Sequence, residues 1–97
     1  MTQIRTKTVA GESLEPLLSA FIRIWSEAEE RDGMFEVSTT LPREEAEPLG
    51  RALMRLEAEL LVADAAALGT SGHEERTPPQ RRHDALLLLA QRISEAV

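Results

Sequence analysis

The strongest constraint on the fold is a helix signal that begins at Thr77. Thr77 is a preferred N-cap residue, Pro78 suits the first helical position, and Gln80 completes a T-x-x-Q capping box. Apolar residues then recur at helical spacing up to the last residue of the sequence. The sequence therefore predicts a capped helix over residues 78–96.

A second long helix is predicted over residues 44–68. Glu44, Glu45 and Glu47 suit its first turn because carboxylates are stabilised at the positive end of the helix dipole. We expect them to be solvated cap residues rather than a catalytic pair, which would need a pocket that separates two pKa values. The apolar residues form two stripes about 120° apart. Burying both stripes requires helix one on one side and helix three, or another subunit, on the other.

The N-terminal part predicts two short strands around one helix. Residues 3–9 and 34–41 alternate between polar and apolar side chains, which is typical of half-exposed strands. Residues 14–31 have helical spacing with an apolar arc of roughly 160°, wide enough to contact two neighbours, and Gly33 supplies a left-handed stop. This order indicates a βαβ unit with parallel strands if they pair within one chain. Alternatively, each strand pairs with the same strand of a second chain.

These segments predict one small α+β domain over residues 1–97, mainly α, with two short strands and three helices. Helices two and three are expected to form an antiparallel hairpin that packs against helix one. The composition agrees, since leucine and alanine are abundant and Phe21, Trp25 and Phe35 are the only aromatic residues.

Charge and composition exclude several classes of protein. A net charge of −6 argues against the whole molecule being a polyanion binder, because nucleic-acid affinity rests on neutralising phosphates. There is no cysteine for disulfides or thiolate metal sites, and no apolar run of signal-peptide or membrane-spanning length. We expect a soluble, cytoplasmic protein that does not interact with membranes.

The sequence offers little for catalysis or metal binding. His73 and His83 are its only imidazoles, and their spacing matches no metal-ligand motif. No nucleophile elbow, glycine-rich phosphate loop or Ser/His/Asp set is present. We therefore expect neither enzyme activity nor a cofactor.

One leucine of the last helix points to a partner. Leu88 projects roughly opposite the face predicted for Leu86 and Leu89, on the same side as polar residues. It agrees with the second stripe of helix two, which also needs a neighbour. The predicted interaction surface comprises Met54, Leu61, Leu68 and Leu88. We expect a non-enzymatic interaction or oligomerisation module, with a second copy (a homodimer) or a helical protein as partner.

Basic residues support an alternative function. Arg76, Arg81 and Arg82 gather at the start of helix three, where free backbone N–H groups favour anions. The interpretation that leads is that they pair with acids of the preceding loop and of helices two and three. Arg5 and Lys7 lie on a strand that resembles the β-ribbon of ribbon-helix-helix DNA binders. The alternative is thus a DNA-associated accessory or regulatory protein.

Residues 76–90 resemble the C-terminal part of the 13E12-repeat family. They match its motif R-T-P-x-Q-R-R-x-D-A-L-x-x-L-A. The family is a domain of unknown function (222), usually found ahead of HNH nuclease modules in high-GC bacteria. The stretch LPREEAEPLGRALMRL at 41–56 resembles the family's strand-to-helix start, whereas His83 stands where the family favours a small residue. The resemblance implies a helical hairpin, a bacterial source and a nucleic-acid context. It supplies no catalytic role, and this sequence has no HNH motif from which to expect nuclease activity.

Overall fold

The computed structural model describes residues 7–67 and 76–97. In chain order the elements are β1 (Thr8–Val9), β2 (Glu12–Ser13), α1 (Leu14–Ser26), β3 (Glu29–Arg31), β4 (Met34–Glu36), α2 (Arg43–Ala67) and α3 (Pro78–Ala96). Helices make up most of the described chain, and the strands form two small antiparallel pairs. The predicted class, α+β and mainly α, is confirmed.

The two C-terminal helices lie where the sequence predicts them. α2 begins one residue before the predicted segment, and α3 begins directly after Thr77. Both halves of the capping box are formed, since Thr77 N donates to Gln80 Oε1 at 2.9 Å and Gln80 N donates to Thr77 Oγ1 at 3.3 Å. α2 packs extensively against α3, which confirms the predicted helical hairpin. Among the residues described, no helix has both the length and the apolar character needed to cross a bilayer.

The predicted βαβ unit is wrong. β1 pairs with β2 and β3 pairs with β4, in each case antiparallel and between neighbours in the chain. The prediction of helix one to residue 31 was also too long, because residues 29–31 leave the helix to pair with β4. The strand predicted over 34–41 spans only residues 34–36, and of the strand predicted over 3–9 only residues 8–9 are extended within the described chain.

Both hairpins turn through two residues of positive φ. Ala10 and Gly11 have φ of 51° and 80°, and Asp32 and Gly33 have φ of 54° and 77°. Positive φ at both central residues is the requirement of a type I′ turn, whose twist matches that of the flanking strands. Gly33 therefore closes a hairpin instead of ending a helix.

The core lies where the three helices and the first hairpin meet. Its largest fully buried apolar residues are Leu17 of α1, Leu56 of α2 and Leu89 of α3, one from each helix. Burying each contributes about 1.5–3 kcal/mol. Small residues at the contacts let the helices approach closely: Ala20, Ala52 and Ala85 have no exposed surface.

Candidate interaction surface

An open apolar groove lies between α1 and α3. It encloses about 1020 Å³ and continues along the chain segment that follows β4. Its lining residues are Phe21, Ile22, Ile24, Trp25, Ser26, Val37, Ser38, Thr39, Leu86, Leu87 and Ala90. Eight of these eleven side chains are apolar, so the groove has the character expected of a site for an apolar ligand or protein surface.

Large side chains in the groove are exposed to solvent. Ile22 is 62% exposed, Trp25 66% and Leu87 57%. Monomeric proteins commonly expose single apolar residues, but contiguous apolar surface of this kind marks interaction sites. We therefore treat this surface, called the α1–α3 groove below, as the candidate site.

An aromatic pair at the end of α1 joins the groove to the second hairpin. The ring centroids of Trp25 and Phe35 lie 5.4 Å apart, with the planes tilted by 39°. All residues of β3 and β4 are exposed, Met34 and Phe35 among them. The hairpin therefore stands outside the core and extends the apolar surface of the groove beyond α1.

The groove forms because the core buries only some of the apolar residues of α1 and α3. The core takes Leu17 and Ala20 of α1 and leaves two large residues of its wide apolar arc, Ile22 and Trp25, exposed. On α3 the buried row is Ala85, Leu89 and Ile93, so that Leu86 and Leu87 remain exposed beside it. Two flanking faces that the core does not cover thus form the two walls.

Three of the four residues predicted as an interaction surface lie in the described chain, and these three do not share one exposed face. Met54 and Leu61 are exposed on α2, at 68% and 46%, whereas Leu68 lies outside the described residues. The placement of Leu88 on an exposed face is wrong: it is half-buried and packs against the core. The buried residues of α3 are Ala85, Leu89 and Ile93. Compared with the predicted face, the side that contacts the core is therefore turned toward Leu88.

The basic residues predicted as anion contacts are largely engaged within the chain. Arg76 pairs with Asp64 of α2 at 2.5 Å and with Asp84 at 2.7 Å. Arg82 pairs with Glu57 of α2 at 3.3 Å. This geometry agrees with the interpretation that the arginines bridge to acids of helices two and three.

The remaining predicted contacts are also held or lie outside the described chain. Arg81 donates to the carbonyl oxygen of Arg76 at 3.3 Å, and its Nε is buried without a hydrogen bond in the part of the chain that is described. Lys7 donates from Nζ to the carbonyl oxygen of Ala96 at 2.7 Å, and Arg5 precedes the described residues. Each of the four basic residues that the structure describes is therefore engaged by another group of the chain.

Glu45 is a buried link between helices, not a solvated cap residue. Its side chain accepts from Ser19 Oγ and, at 3.0 Å, from Arg23 Nε, both of α1. These hydrogen bonds, first that of Ser19 and then that of Arg23, lower the pKa of Glu45. Glu44 and Glu47, by contrast, are exposed as predicted.

A second buried carboxylate ties the first hairpin to α2. Glu12 of β2 accepts from Arg51 at 2.9 Å and also from Arg55. The hydrogen bonds from Arg51 and Arg55 lower the pKa of Glu12 to about 2. Arg55 also donates to the carbonyl oxygen of Ala10 at 2.8 Å, so one arginine holds both the turn and the strand.

Metal-binding clusters are absent from the described part of the chain, where no group of three or more His, Cys, Asp and Glu residues converges. His83 is exposed, with Nδ1 3.5 Å from Asp84, and His73 falls outside the described residues. The buried carboxylates Glu12, Glu45 and Asp64 each contact arginines of another segment, which makes them structural links.

The groove residues were missed in the sequence, although two signals pointed to them. An apolar arc of roughly 160° on α1 is wider than one packing contact covers. The run from Leu86 to Leu89 spans a full helical turn, so it must place leucines on more than one face. These signals would have identified Ile22, Trp25 and Leu87 as candidates.

The chain is small and mainly helical, and the groove gives it an exposed apolar surface. The family model for a domain of unknown function, DUF222, matches residues 22–96. The chain therefore belongs to this family, which confirms the resemblance carried by the motif at residues 76–90. The match covers both walls of the groove from Ile22 onward. No curated protein and no solved structure matches the chain significantly.

Proposed function

We propose that this chain is a non-enzymatic protein-interaction module whose α1–α3 groove receives an apolar surface of another polypeptide. The observation that carries the proposal is the row of exposed apolar side chains, Ile22, Trp25 and Leu87, facing one open groove. Burying such a row contributes about 25 cal/mol per Å² of apolar area removed from water.

The shape of the groove favours a helix as the docked element. Its long walls are α1 and α3, and a third helix seated between two others can interdigitate with the side chains of both. Helix-in-groove recognition uses apolar anchors at i, i+3, i+4 and i+7 of the bound helix. A second copy of the chain and a different helical protein both offer such a stripe, and sedimentation separates these two cases.

The DNA-associated alternative has less support. Arg76 and Arg82 already pair with carboxylates, and Lys7 is bound to a backbone carbonyl. Phosphate contacts require cations that are free to replace counterions, and the net charge of −6 opposes that exchange.

The groove is tested with a synthetic amphipathic peptide of about 18 residues, five helical turns, with leucine on one face and glutamine on the other. Trp25 is the only tryptophan of the chain, so its emission reports directly on the groove. We expect saturable binding and a blue shift of the emission. Sedimentation velocity over about 1–500 μM, a range that spans typical transient association, measures self-association in parallel.

Leu87→Gln is the test variant and Val62→Gln is its control. Val62 is 68% exposed on α2 and does not line the groove. We expect Leu87→Gln to weaken peptide binding or self-association and Val62→Gln to leave both unchanged. A chain that stays monomeric, and whose Trp25 emission does not respond to the peptide, would overturn the proposal.

A further inference from the structure

The second hairpin places a strong negative charge beside the groove. Residues 27–36 carry five acids against one arginine. Glu27 directly follows Ser26, and Glu36 directly precedes Val37, both of which line the groove. Trp25 contacts Phe35 at the same end. The acids of the hairpin therefore border the groove at the end of α1.

The nearby arginines neutralise these acids only in part. Arg31 pairs with Glu36 at 3.5 Å, and Arg23 is held at 3.0 Å by the buried Glu45. Three exposed acids of the hairpin, Glu29, Glu30 and Asp32, have no ion pair within the described residues. They leave an excess of negative charge on this rim.

The opposite wall carries no acid on the face that it turns to the groove. Leu87 and Ala90 of α3 are flanked on that face by His83, one turn earlier, and Ser94, one turn later. Asp84, the acid nearest to Leu87 along α3, is paired with Arg76 at 2.7 Å, so the acids without an ion pair lie on the hairpin side of the groove. An occupant is attracted if it combines an apolar stripe with a cationic flank.

We infer that the natural occupant of the groove is a basic amphipathic helix, with leucine-type anchors in the groove and Lys or Arg residues facing the β3–β4 hairpin. This inference rests on the proposed function and names the chemistry of its partner. Complementary charge around an apolar site raises the association rate and fixes the orientation of the bound helix.

A second copy of the chain is a poorer occupant on the same grounds. A twofold interface places the same patch on both subunits, so the acidic hairpins would border a shared interface. Like charges at an interface oppose association, and a net charge of −6 on each copy adds to the repulsion. A basic helix is repelled neither by the acidic hairpin nor by the net negative charge of the chain.

The test compares three peptides of about 18 residues that share one leucine stripe and differ only on the polar face, which is Lys, Gln or Glu. Trp25 emission is titrated with each peptide at about 50 mM and about 500 mM salt, conditions that differ strongly in screening. At low salt we expect the Lys peptide to bind at least about tenfold more tightly than the Gln peptide and the Glu peptide to bind most weakly. The differences should shrink at high salt.

Charge reversal of the hairpin assigns the effect to the acids that the structure places there. Replacing Glu29, Glu30 and Asp32 by Lys should invert the peptide preference. The matched control replaces Glu47, Glu59 and Glu95 by Lys, which changes the net charge equally at three exposed positions outside the groove and the hairpin. It should reduce Lys-peptide binding only slightly. Circular dichroism checks that both variants are folded.

The outcomes separate this inference from the proposed function. Equal binding of all three peptides, or self-association through the groove with no peptide binding, overturns the basic-helix inference while the groove remains a binding site. An unchanged preference in the hairpin variant also overturns it. Failure of every peptide together with a strictly monomeric chain overturns both.

Discussion

The rings of Trp25 and Phe35 lie 5.4 Å apart with their planes inclined by 39°. The contact connects the end of α1 to a hairpin whose residues are otherwise exposed. An aromatic pair of this geometry contributes about 0.5–1.5 kcal/mol beyond area burial. Because both rings stay more than half exposed, the pair positions the rim of the groove and still leaves aromatic surface for a partner.

Replacing Glu45 by Gln should destabilise the fold although the two side chains are nearly isosteric. The change removes the negative charge of a buried carboxylate that accepts hydrogen bonds from Ser19 and Arg23. We expect a loss of about 1–3 kcal/mol in the free energy of unfolding, measured by urea denaturation. Glu44→Gln, at the exposed neighbour, is the control. Equal small effects of the two substitutions would contradict the assignment of Glu45 as an interhelix link.

Glu12 should make the stability of the fold depend on acid pH. Its folded-state pKa of about 2 lies below the ordinary value of 4.5, because Arg51 and Arg55 hydrogen-bond to the carboxylate. The stabilisation is therefore complete above pH 4.5 and is lost as the pH falls from 4.5 toward 2.

Glu12→Gln should remove this part of the acid dependence. Urea midpoints measured between about pH 7 and about pH 3 should fall more steeply for the wild type than for the variant. Parallel curves would show that Glu12 has no lowered pKa in the folded state.

Arg76→Gln should weaken the contact between α2 and α3 more than Arg82→Gln does. Arg76 reaches Asp64, whose side chain is 2% exposed, whereas the Arg82 side chain is 76% exposed at its pair with Glu57. We expect a cost of about 2 kcal/mol for Arg76→Gln and of less than about 1 kcal/mol for Arg82→Gln. Urea denaturation of the two variants measures the difference. If Arg82→Gln cost more than Arg76→Gln, the buried pair of Arg76 and Asp64 would not stabilise the contact between α2 and α3.

Ala10→Gly should stabilise the first hairpin. Ala10 has a φ of 51° in a turn, a conformation that costs an L-residue roughly 1–2 kcal/mol and glycine very little. Part of this gain is offset by the greater freedom of glycine in the unfolded chain, so we expect a net increase of about 0.5 kcal/mol in the free energy of unfolding. A decrease would indicate that the alanine methyl group makes packing contacts worth more than the strain.

Local signals explain why α2 and α3 could be predicted from the sequence. The capping box needs only Thr77 and Gln80, three residues apart, and the leucine spacing of α2 is regular over many turns. Such features act within one element and do not depend on its neighbours. Both helices therefore begin within one residue of their predicted first residues.

Local signals could not distinguish the β3–β4 hairpin from a continuation of helix one. Glu29 to Arg31 are good helix formers, and Asp32-Gly33 is compatible with both a helix stop and a type I′ turn. Pairing with residues 34–36 decides between them, and that is a contact between segments. Asp-Gly before a strand-like run is nevertheless a recognised hairpin signal, and it was available in the sequence.

The candidate site could not be predicted because the face that a helix turns to the core depends on the neighbouring helices, which the spacing of apolar residues does not reveal. Centring the core face of α3 on Leu86, Leu89 and Ile93 placed Leu88 outside. The buried row contains Ala85, a small residue that permits close helix contact, in place of Leu86, which turns the centre of that face by about 30° toward Leu88. The same rotation moves Leu86 out of the core, so that it lines the groove beside Leu87.

The accessibility of Trp25 tests the central claim, that the α1–α3 groove is an open site for an apolar helix. Acrylamide quenching of Trp25 is measured in the free chain and again with saturating leucine–glutamine peptide. We expect strong quenching of the free chain, since Trp25 is 66% exposed, and at least about a threefold lower quenching constant in the complex, because burial removes most of the accessible ring surface. Equal quenching with and without the peptide would contradict the claim, as would weak quenching in the free chain.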